Sequence, residues 1–145
     1  MIIAFACDHG WFPFRESILE HLKQLWHEVI DFWPKIEEPL DDFPDYSRLV
    51  CENMIAWKSE RGVLVCGTGI GMSIAANKFQ KIRAVVSFDS ESARISRSHN
   101  DANVICFWAR TMKIENVLDS LDVFLSTEFL GGKYQRRNEK MDCTC

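Results

Sequence analysis

Residues 63–78, "VLVCGTGIGMSIAANK", indicate how the chain folds. Residues 63–66 are an apolar run typical of a buried strand, and three glycines follow it at alternate positions. The pattern over residues 70–78 then predicts a helix. A buried strand followed directly by a helix is typical of an α/β chain with a parallel sheet.

The same alternation continues on both sides of this stretch. Apolar runs predict strands at residues 1–7, 28–32, 62–66, 83–88 and 103–107. Helical patterns occupy residues 14–26, 46–57, 70–78, 91–98 and 114–124, and the polar tail from residue 131 predicts one more short helix. We therefore expect a five-stranded parallel sheet with helices on both faces.

Composition bounds the class of protein. The chain has 145 residues, 47% hydrophobic and 26% charged, which suits one domain over residues 1–145. With a net charge of −4 the chain lacks the excess of positive charge that binds nucleic acid, so we do not expect a nucleic-acid partner. No apolar run is close to the roughly 18 residues that a membrane span needs. The apolar segment at the start of the chain ends at Asp8, which makes it too short for a signal peptide. The six cysteines lie mostly in apolar runs, which favours a reducing, cytoplasmic setting, and we expect the five tryptophans to serve mainly in packing.

The glycine loop predicts a site for negative charge. Gly67, Gly69 and Gly71 allow a sharp turn that directs several backbone N–H groups to one point. A helix beginning near Ile70 adds its N-terminal partial charge. The loop therefore favours an anion or a developing oxyanion.

Cys66, beside this loop, admits two interpretations. It ends a buried strand, where a free cysteine often serves as a small apolar residue. The same amides would also stabilise a thiolate, which could act as a nucleophile or a base. Thr68 is either a turn residue or a hydroxyl that faces the same pocket.

Further polar residues are predicted near the carboxyl ends of the strands, where open α/β sheets bind ligands. Asp8 and His9 follow the first strand. His99 precedes the fifth strand, and its placement depends on where the preceding helix ends; we expect it at the same edge as Cys66. Each of these residues alone also fits a surface turn or a helix end.

Two other kinds of site fit poorly. The loop is G-x-G-x-G with Met72 at the last glycine position of the dinucleotide motif, and it follows the third strand instead of the first. Asp89 does mimic the ribose-binding acid of that motif, but we expect no nicotinamide cofactor. Cys143 and Cys145 form a C-x-C without partner ligands, so we expect no metal site.

Five segments carry a resemblance to a known family: "CDHG", "FPDYSRLV", "GVLVCGTGIGMSIAANK", "IRAVVSFDSESARISRSHNDANVI" and "FLGGKYQRR". From residue 2 to about residue 137 the chain resembles type B ribose-5-phosphate isomerase, whose superfamily includes the galactose-6-phosphate isomerase subunits. The resemblance implies a cofactor-free and metal-free aldose–ketose isomerase on a three-layer Rossmann-like or flavodoxin-like fold. Ribose 5-phosphate is the expected substrate. The alternatives are another aldose phosphate of the allose- or galactose-6-phosphate type, or a non-catalytic sugar-phosphate-binding protein.

The resemblance also implies a role for each site residue. Cys66 would carry a proton between C1 and C2, Thr68 would move the hydroxyl proton, and His99 would open the sugar ring. The remaining contacts to substrate would come from Asp8, His9, Gly67, Gly69, Ile70, Gly71, Asn100, Arg110, Lys133 and Arg137. Some of these would belong to the second subunit of a homodimer, and two such dimers could pair into a dimer of dimers. Residues 131–145, a polar tail with no obvious apolar face for its own domain, would reach that subunit.

Three positions depart from the family pattern. Trp11 stands where a glycine is expected, and Lys133 and Tyr134 replace an arginine and a histidine. Lysine does not reproduce the bidentate fork of arginine, so we expect weaker phosphate binding and a shifted sugar preference.

Overall fold

The computed structural model describes residues 1–8, 12–33 and 42–142. The strands are β1 (Ile2–Cys7), β2 (Glu28–Asp31), β3 (Arg61–Cys66), β4 (Ala84–Ser87) and β5 (Val104–Trp108). The helices are α1 (Phe12–Gln24), α2 (Phe43–Ile55), α3 (Ile70–Ala76), α4 (Ser90–Asn100), α5 (Ile114–Ser126) and α6 (Lys133–Asp142). Within the described ranges, no helix is long and apolar enough to cross a membrane.

The strands form one parallel sheet in the order β2-β1-β3-β5-β4, so the predicted five-stranded parallel sheet is confirmed. The first three strands follow the flavodoxin order. However, β5 lies next to β3 and β4 lies at the edge of the sheet, so the last two strands are exchanged relative to that fold. Strand β2 lies on one side of β1 and strand β3 lies on the other, so the direction in which strands are added to the sheet reverses at β1. Such a switch point opens a crevice for ligands at the carboxyl ends of the strands, here called the carboxyl edge.

Two apolar cores cover the two faces of the sheet, which explains the continuous apolar runs in the sequence. In β1, Ile3, Phe5 and Cys7 face the core formed with α1, α4 and α5. Ala4 and Ala6 alternate with them and face the core formed with α2 and α3. All five side chains are fully buried, and the three-layer arrangement with helices on both faces follows from this alternation.

Helix α4 extends past the predicted end at residue 98 and includes His99. The carboxylate of Asp89 accepts a hydrogen bond from the Ser92 N–H at 2.7 Å and caps the first turn. The helix ends only at Asp101, whose φ of +47° is left-handed. Because α4 leads from the end of β4 to the start of β5, its last turn lies at the opposite, amino edge of the sheet. The expectation that His99 shares the edge of Cys66 within one chain is therefore wrong.

Two tryptophans also differ from expectation. Trp26 and Trp57 are 93% and 85% exposed, so neither packs in the core. Each follows the end of a helix with a positive φ, 61° and 59° respectively. Both lie on connections that lead into the amino ends of strands, outside the two cores between sheet and helices.

Candidate active site

Cys66 lies at the carboxyl end of β3, in the interior of the sheet. It is 5% exposed and stands opposite Trp108 of β5 in the strand register. The backbone N–H of Gly69 donates a hydrogen bond to its Sγ at 3.1 Å. The sulfur therefore lies against the glycine loop, within hydrogen-bond distance of one of its backbone N–H groups.

Gly69 is the residue that makes this contact possible. Its φ of +69° is a left-handed conformation, and it is the N-cap of α3. A Cβ at this position would come within 3.1 Å of the backbone carbonyl of Phe107. The loop therefore packs against β5 so closely that only glycine fits.

Arg110 brings a full positive charge to the loop. Its backbone N–H donates to the Gly67 carbonyl at 3.3 Å, and the preceding Ala109 N–H donates to the Cys66 carbonyl at 3.1 Å. The guanidinium lies over Gly67, where an added Cβ would be 3.1 Å from Arg110 Nε. The exposed guanidinium beside the loop amides can bind a phosphate or stabilise an oxyanion.

Thr68 faces the same loop with its hydroxyl oriented by the backbone. The Ile70 N–H donates to Thr68 Oγ1 at 3.3 Å. Because the oxygen accepts this bond, the hydroxyl proton remains available for donation to another group. Thr68 is partly exposed and can therefore exchange a proton with a bound substrate.

Asp8 reaches the same edge from β1. Its backbone N–H donates to the Val65 carbonyl at 3.1 Å, which continues the pairing of β1 with β3 by one residue. Asp8 therefore lies beside the end of β3. The predicted site residue His9 and the departure at Trp11 lie outside the described residues. We call Asp8, Cys66, residues 67–71 and Arg110 the carboxyl-edge site.

A second group of predicted site residues lies on α4 and α6, and we call it the amino-edge cluster: His99, Asn100, Lys133, Tyr134 and Arg137. The rings of His99 and Tyr134 stack with centroids 4.1 Å apart and planes 8° from parallel. Lys133 Nζ lies 5.0 Å and Arg137 Cζ 5.9 Å from the centre of the Tyr134 ring. Two cations therefore flank an imidazole–phenol stack, an arrangement suited to an anionic ligand.

Buried polar contacts hold this cluster in place. Arg97, which is 4% exposed, donates from Nη1 to Asp101 Oδ1 at 2.8 Å and to the Ala102 carbonyl at 2.6 Å. The Leu130 N–H donates to the Ser98 carbonyl at 3.0 Å and ties the tail to α4. These bonds fix the end of α4 and, with it, the His99 ring.

One chain does not bring the carboxyl-edge site and the amino-edge cluster together. Strand β3 has six residues, so its two ends are about 16 Å apart. Cys66 ends this strand, whereas His99 lies near the start of β5. A distance of that order is far beyond hydrogen-bond reach. The two groups of residues could act on one substrate only if the groups came from different chains.

The sequence reasoning missed two aromatic residues at the start of α2: Phe43, which lies against Gly71 of the glycine loop, and Tyr46, which is buried in the core below it. The Phe43 ring lies where a Cβ on Gly71 would be 2.7 Å away. Tyr46 is 7% exposed and belongs to the same apolar core as Cys66 and Met72. The segment "FPDYSRLV" carries both residues, but a helical pattern alone does not indicate which sheet edge its first turn covers.

The other cysteines of this core, Cys51 and Cys106, have raised pKa values. Burial raises the pKa of Cys51 to about 12, and it raises the pKa of Cys106 well above its usual value. Both therefore remain thiols at neutral pH. Among the described residues, no group of three or more histidine, cysteine or acidic side chains is placed to hold a metal ion.

Comparison with known proteins shows the family to which the chain belongs. The family model for ribose/galactose isomerase matches residues 3–141. Ribose-5-phosphate isomerase B of Escherichia coli strain K12 is 42% identical over 137 residues, 94% of this chain and 91% of that protein. A structure of ribose-5-phosphate isomerase B from Clostridium thermocellum superposes with a TM-score of 0.95 at 40% identity, covering 99% of this chain and 97% of that one.

A third relative was crystallised with a sugar phosphate. Ribose-5-phosphate isomerase B from Mycoplasma genitalium, with bound ribulose 5-phosphate, superposes with a TM-score of 0.93 at 33% identity. The match covers 99% of this chain and 95% of that one. The resemblance predicted from the five sequence segments is confirmed, and the chain belongs to the ribose/galactose isomerase family.

Proposed function

We propose that this protein is an aldose–ketose isomerase that interconverts ribose 5-phosphate and ribulose 5-phosphate through an enediolate. The observation that carries the proposal is the Cys66 thiol, which accepts the Gly69 N–H at 3.1 Å inside a glycine loop. Isomerisation needs a base, a cradle for negative charge and a proton shuttle close together. Relatives named ribose-5-phosphate isomerase B, one with bound ribulose 5-phosphate, support the choice of substrate.

In this mechanism Cys66 removes a proton from C2 of the open-chain aldose and returns it to C1. The Gly69 N–H holds negative charge on Sγ before the transfer. The amides of residues 67–71 and the Arg110 guanidinium stabilise the enediolate that forms. Thr68, whose oxygen is already held by the Ile70 N–H, moves the proton between the two substrate oxygens.

We further propose that the working site is formed by two chains of a homodimer, with pairing of dimers as a possible higher assembly. His99 would open the sugar ring at the Cys66 of the second subunit, and Asn100, Lys133 and Arg137 would bind the phosphate end there. The separation of about 16 Å between the two edges of one chain supports this arrangement. The described part of the tail, residues 131–142, would then extend to the second subunit, and residues 143–145 lie outside the described residues.

The cytoplasm is the location that we propose for the enzyme. Three cysteines in the described part of the chain, Cys51, Cys66 and Cys106, are free and buried. Free thiols persist in a reducing compartment, which supports this location.

A second candidate substrate is another aldose phosphate. Tyr134 covers one face of the His99 imidazole, and Lys133 offers a point charge instead of an arginine fork. Both differences change the end of the site that would bind the phosphate and the ring oxygen. Pentose phosphates and hexose phosphates should therefore both be tested as substrates.

The decisive variant is Cys66→Ala, assayed for isomerisation of ribose 5-phosphate. Loss of the base should lower turnover by about 10²-fold or more while substrate affinity stays nearly unchanged. Cys106→Ala is the matched control, because it removes a buried thiol from the neighbouring strand and the same core. Near-normal turnover in Cys66→Ala, or an equal loss in Cys106→Ala, would contradict the role of Cys66.

A further inference from the structure

The plane of the His99 imidazole is fixed by one contact, a stack on Tyr134. The ring centroids are 4.1 Å apart and the planes are 8° from parallel. In the described part of the chain no hydrogen bond reaches either nitrogen of this imidazole. His21 differs, because its Nε2 lies 2.6 Å from Asp122 Oδ1. Backbone contacts place His99 at the end of α4, and Tyr134 determines which way its ring faces.

The turn before α6 brings Tyr134 to this position. The Leu130 N–H donates to the Ser98 carbonyl at 3.0 Å, one residue before the histidine. Gly131 and Gly132 follow with φ of +63° and +57°, a left-handed pair that only glycine adopts readily. The Tyr134 N–H then donates to the Gly131 carbonyl at 3.1 Å as α6 begins. The turn therefore holds the start of α6 against the end of α4.

The face of α6 that carries Tyr134 packs against α4. Asn138 lies four residues after Tyr134, which places both on the same side of the helix. Asn138 is 4% exposed, and Tyr134 is half-buried. This packing holds the phenol ring over His99.

We propose that Tyr134 is a positioning residue, which orients the His99 imidazole for opening of the sugar ring. The inference rests on the proposed isomerase function, in which His99 acts at the Cys66 of the second subunit. A stack covers the face of an imidazole and leaves its two nitrogens, which lie in the ring plane, available to a ligand. Tyr134 therefore determines the direction in which an N–H of His99 points.

Ring opening depends on that direction. The C1–O4 bond of the furanose breaks, a C1=O1 double bond forms, and O4 gains a proton as O1 loses one. His99 supplies the proton that O4 gains, and the proton from O1 passes to water, from which His99 is protonated again. Proton transfer requires a donor within hydrogen-bond reach of O4. Rotation of the imidazole plane would turn the N–H away from O4, so a group that fixes this plane raises the rate of opening.

The test compares a substrate that cyclises with one that cannot. Ribose 5-phosphate forms a furanose, whereas erythrose 4-phosphate cannot, because its O4 carries the phosphate. Tyr134→Leu removes the flat ring and should lower kcat/KM roughly tenfold for ribose 5-phosphate but by no more than about twofold for erythrose 4-phosphate. Tyr134→Phe keeps the stack and should stay within about twofold of wild type on both. Since both sugars carry a phosphate, a change in phosphate binding would affect them equally.

A double variant tests whether Tyr134 acts through His99. In a His99→Asn background, Tyr134→Leu should cause no further loss on ribose 5-phosphate, because a positioning residue has no effect once its target is absent. Gln135→Leu is the matched control, since it introduces the same side chain at the next, exposed position of α6. It should keep wild-type kinetics. Tyr134→Met carries the same expectations if Tyr134→Leu does not fold.

The outcomes separate the positioning role from the function on which it rests. If wild type isomerises ribose 5-phosphate and Tyr134→Leu changes nothing, lowers kcat/KM equally for both sugars, or adds its loss to that of His99→Asn, the positioning role is overturned and the isomerase function stands. If wild type isomerises neither sugar phosphate, the isomerase function fails and the positioning role fails with it. If wild type accepts ribose 5-phosphate alone, the additivity of the two losses in the double variant supports or overturns the role.

Discussion

Subunit complementation tests directly whether the active site is shared between chains. Cys66→Ala removes the proposed base from the carboxyl-edge site, and His99→Asn removes the proposed ring-opening group from the amino-edge cluster. Each homodimer should lose activity, by about 10²-fold for a lost proton-transfer group. A mixed dimer should recover it, because one of its two sites combines an intact Cys66 with an intact His99.

The size of the recovery follows from the geometry. The two edges of one chain are about 16 Å apart, because six residues of β3 separate them. If each site takes one edge from each chain, a mixed dimer has one intact site and one doubly defective site. Random pairing of equal amounts gives about half mixed dimers, so the mixture should reach about a quarter of wild-type activity.

The assay is isomerisation of ribose 5-phosphate after the two variants are unfolded together and refolded as an equimolar mixture. The matched control is a mixture of Cys66→Ala with Thr68→Ala, which lie in the same carboxyl-edge site. These two lesions leave a defect in every site of a mixed dimer, so activity should stay at the level of the parents. If the mixture of Cys66→Ala and His99→Asn also gains nothing, the shared-site reasoning is refuted.

Three other changes have clear expected outcomes. Gly69→Ala should lower the free energy of unfolding by about 1–2 kcal/mol in urea titrations, because its φ of +69° is left-handed and its Cβ would meet the Phe107 carbonyl. Lys133→Arg combined with Tyr134→His should lower the KM for ribose 5-phosphate roughly tenfold in steady-state assays, with a smaller change in kcat; an unchanged KM would mean that these departures are neutral. Cys51 has a pKa of about 12 when folded against 9.0 when unfolded, so its contribution to stability is complete below pH 9.0 and is lost as the pH rises toward 12. Denaturant titrations should therefore show a steeper loss of stability above pH 9.0 in wild type than in Cys51→Ala.

The fold was predictable because the central strands β1, β3 and β5 each contain a continuous apolar run. Residues such as Phe5 in β1 and Val63 in β3 lie in runs that are buried on both faces, and such runs have few interpretations other than parallel strands. The strand order was not predictable, since no local pattern places β5 between β3 and β4. The glycine loop was predictable in its chemistry, because Gly69 and Cys66 are close in sequence as well as in space.

The edge at which His99 lies could have been read from the predicted order of elements, because His99 precedes the fifth strand and a parallel strand begins at the amino edge of its sheet. Only the exact end of the helix was not predictable. The end of α4 depends on Asp101, whose left-handed conformation is held by contacts from Arg97 and Arg83. Glycine is the usual residue at such a helix end, so an aspartate gives a weaker stop signal. The tertiary contacts, and not the pattern around residue 98, decide where the helix stops.

The tail shows that the amino-edge cluster can form before two chains meet. Contrary to the expectation of no face for its own domain, α6 packs against α4 of its own chain: Tyr134 stacks on His99, and Asn138 is 4% exposed. Arg83 Nη1 lies 3.6 Å from Asp142 Oδ2 and ties the far end of α6 to the start of β4. Because the imidazole and its neighbouring cations are already ordered in one chain, association need not pay the entropy of arranging them. The proposed dimer then has only to bring two preformed edges together. Dissociation of the dimer would lower activity because it separates the two edges, while each edge would keep its structure.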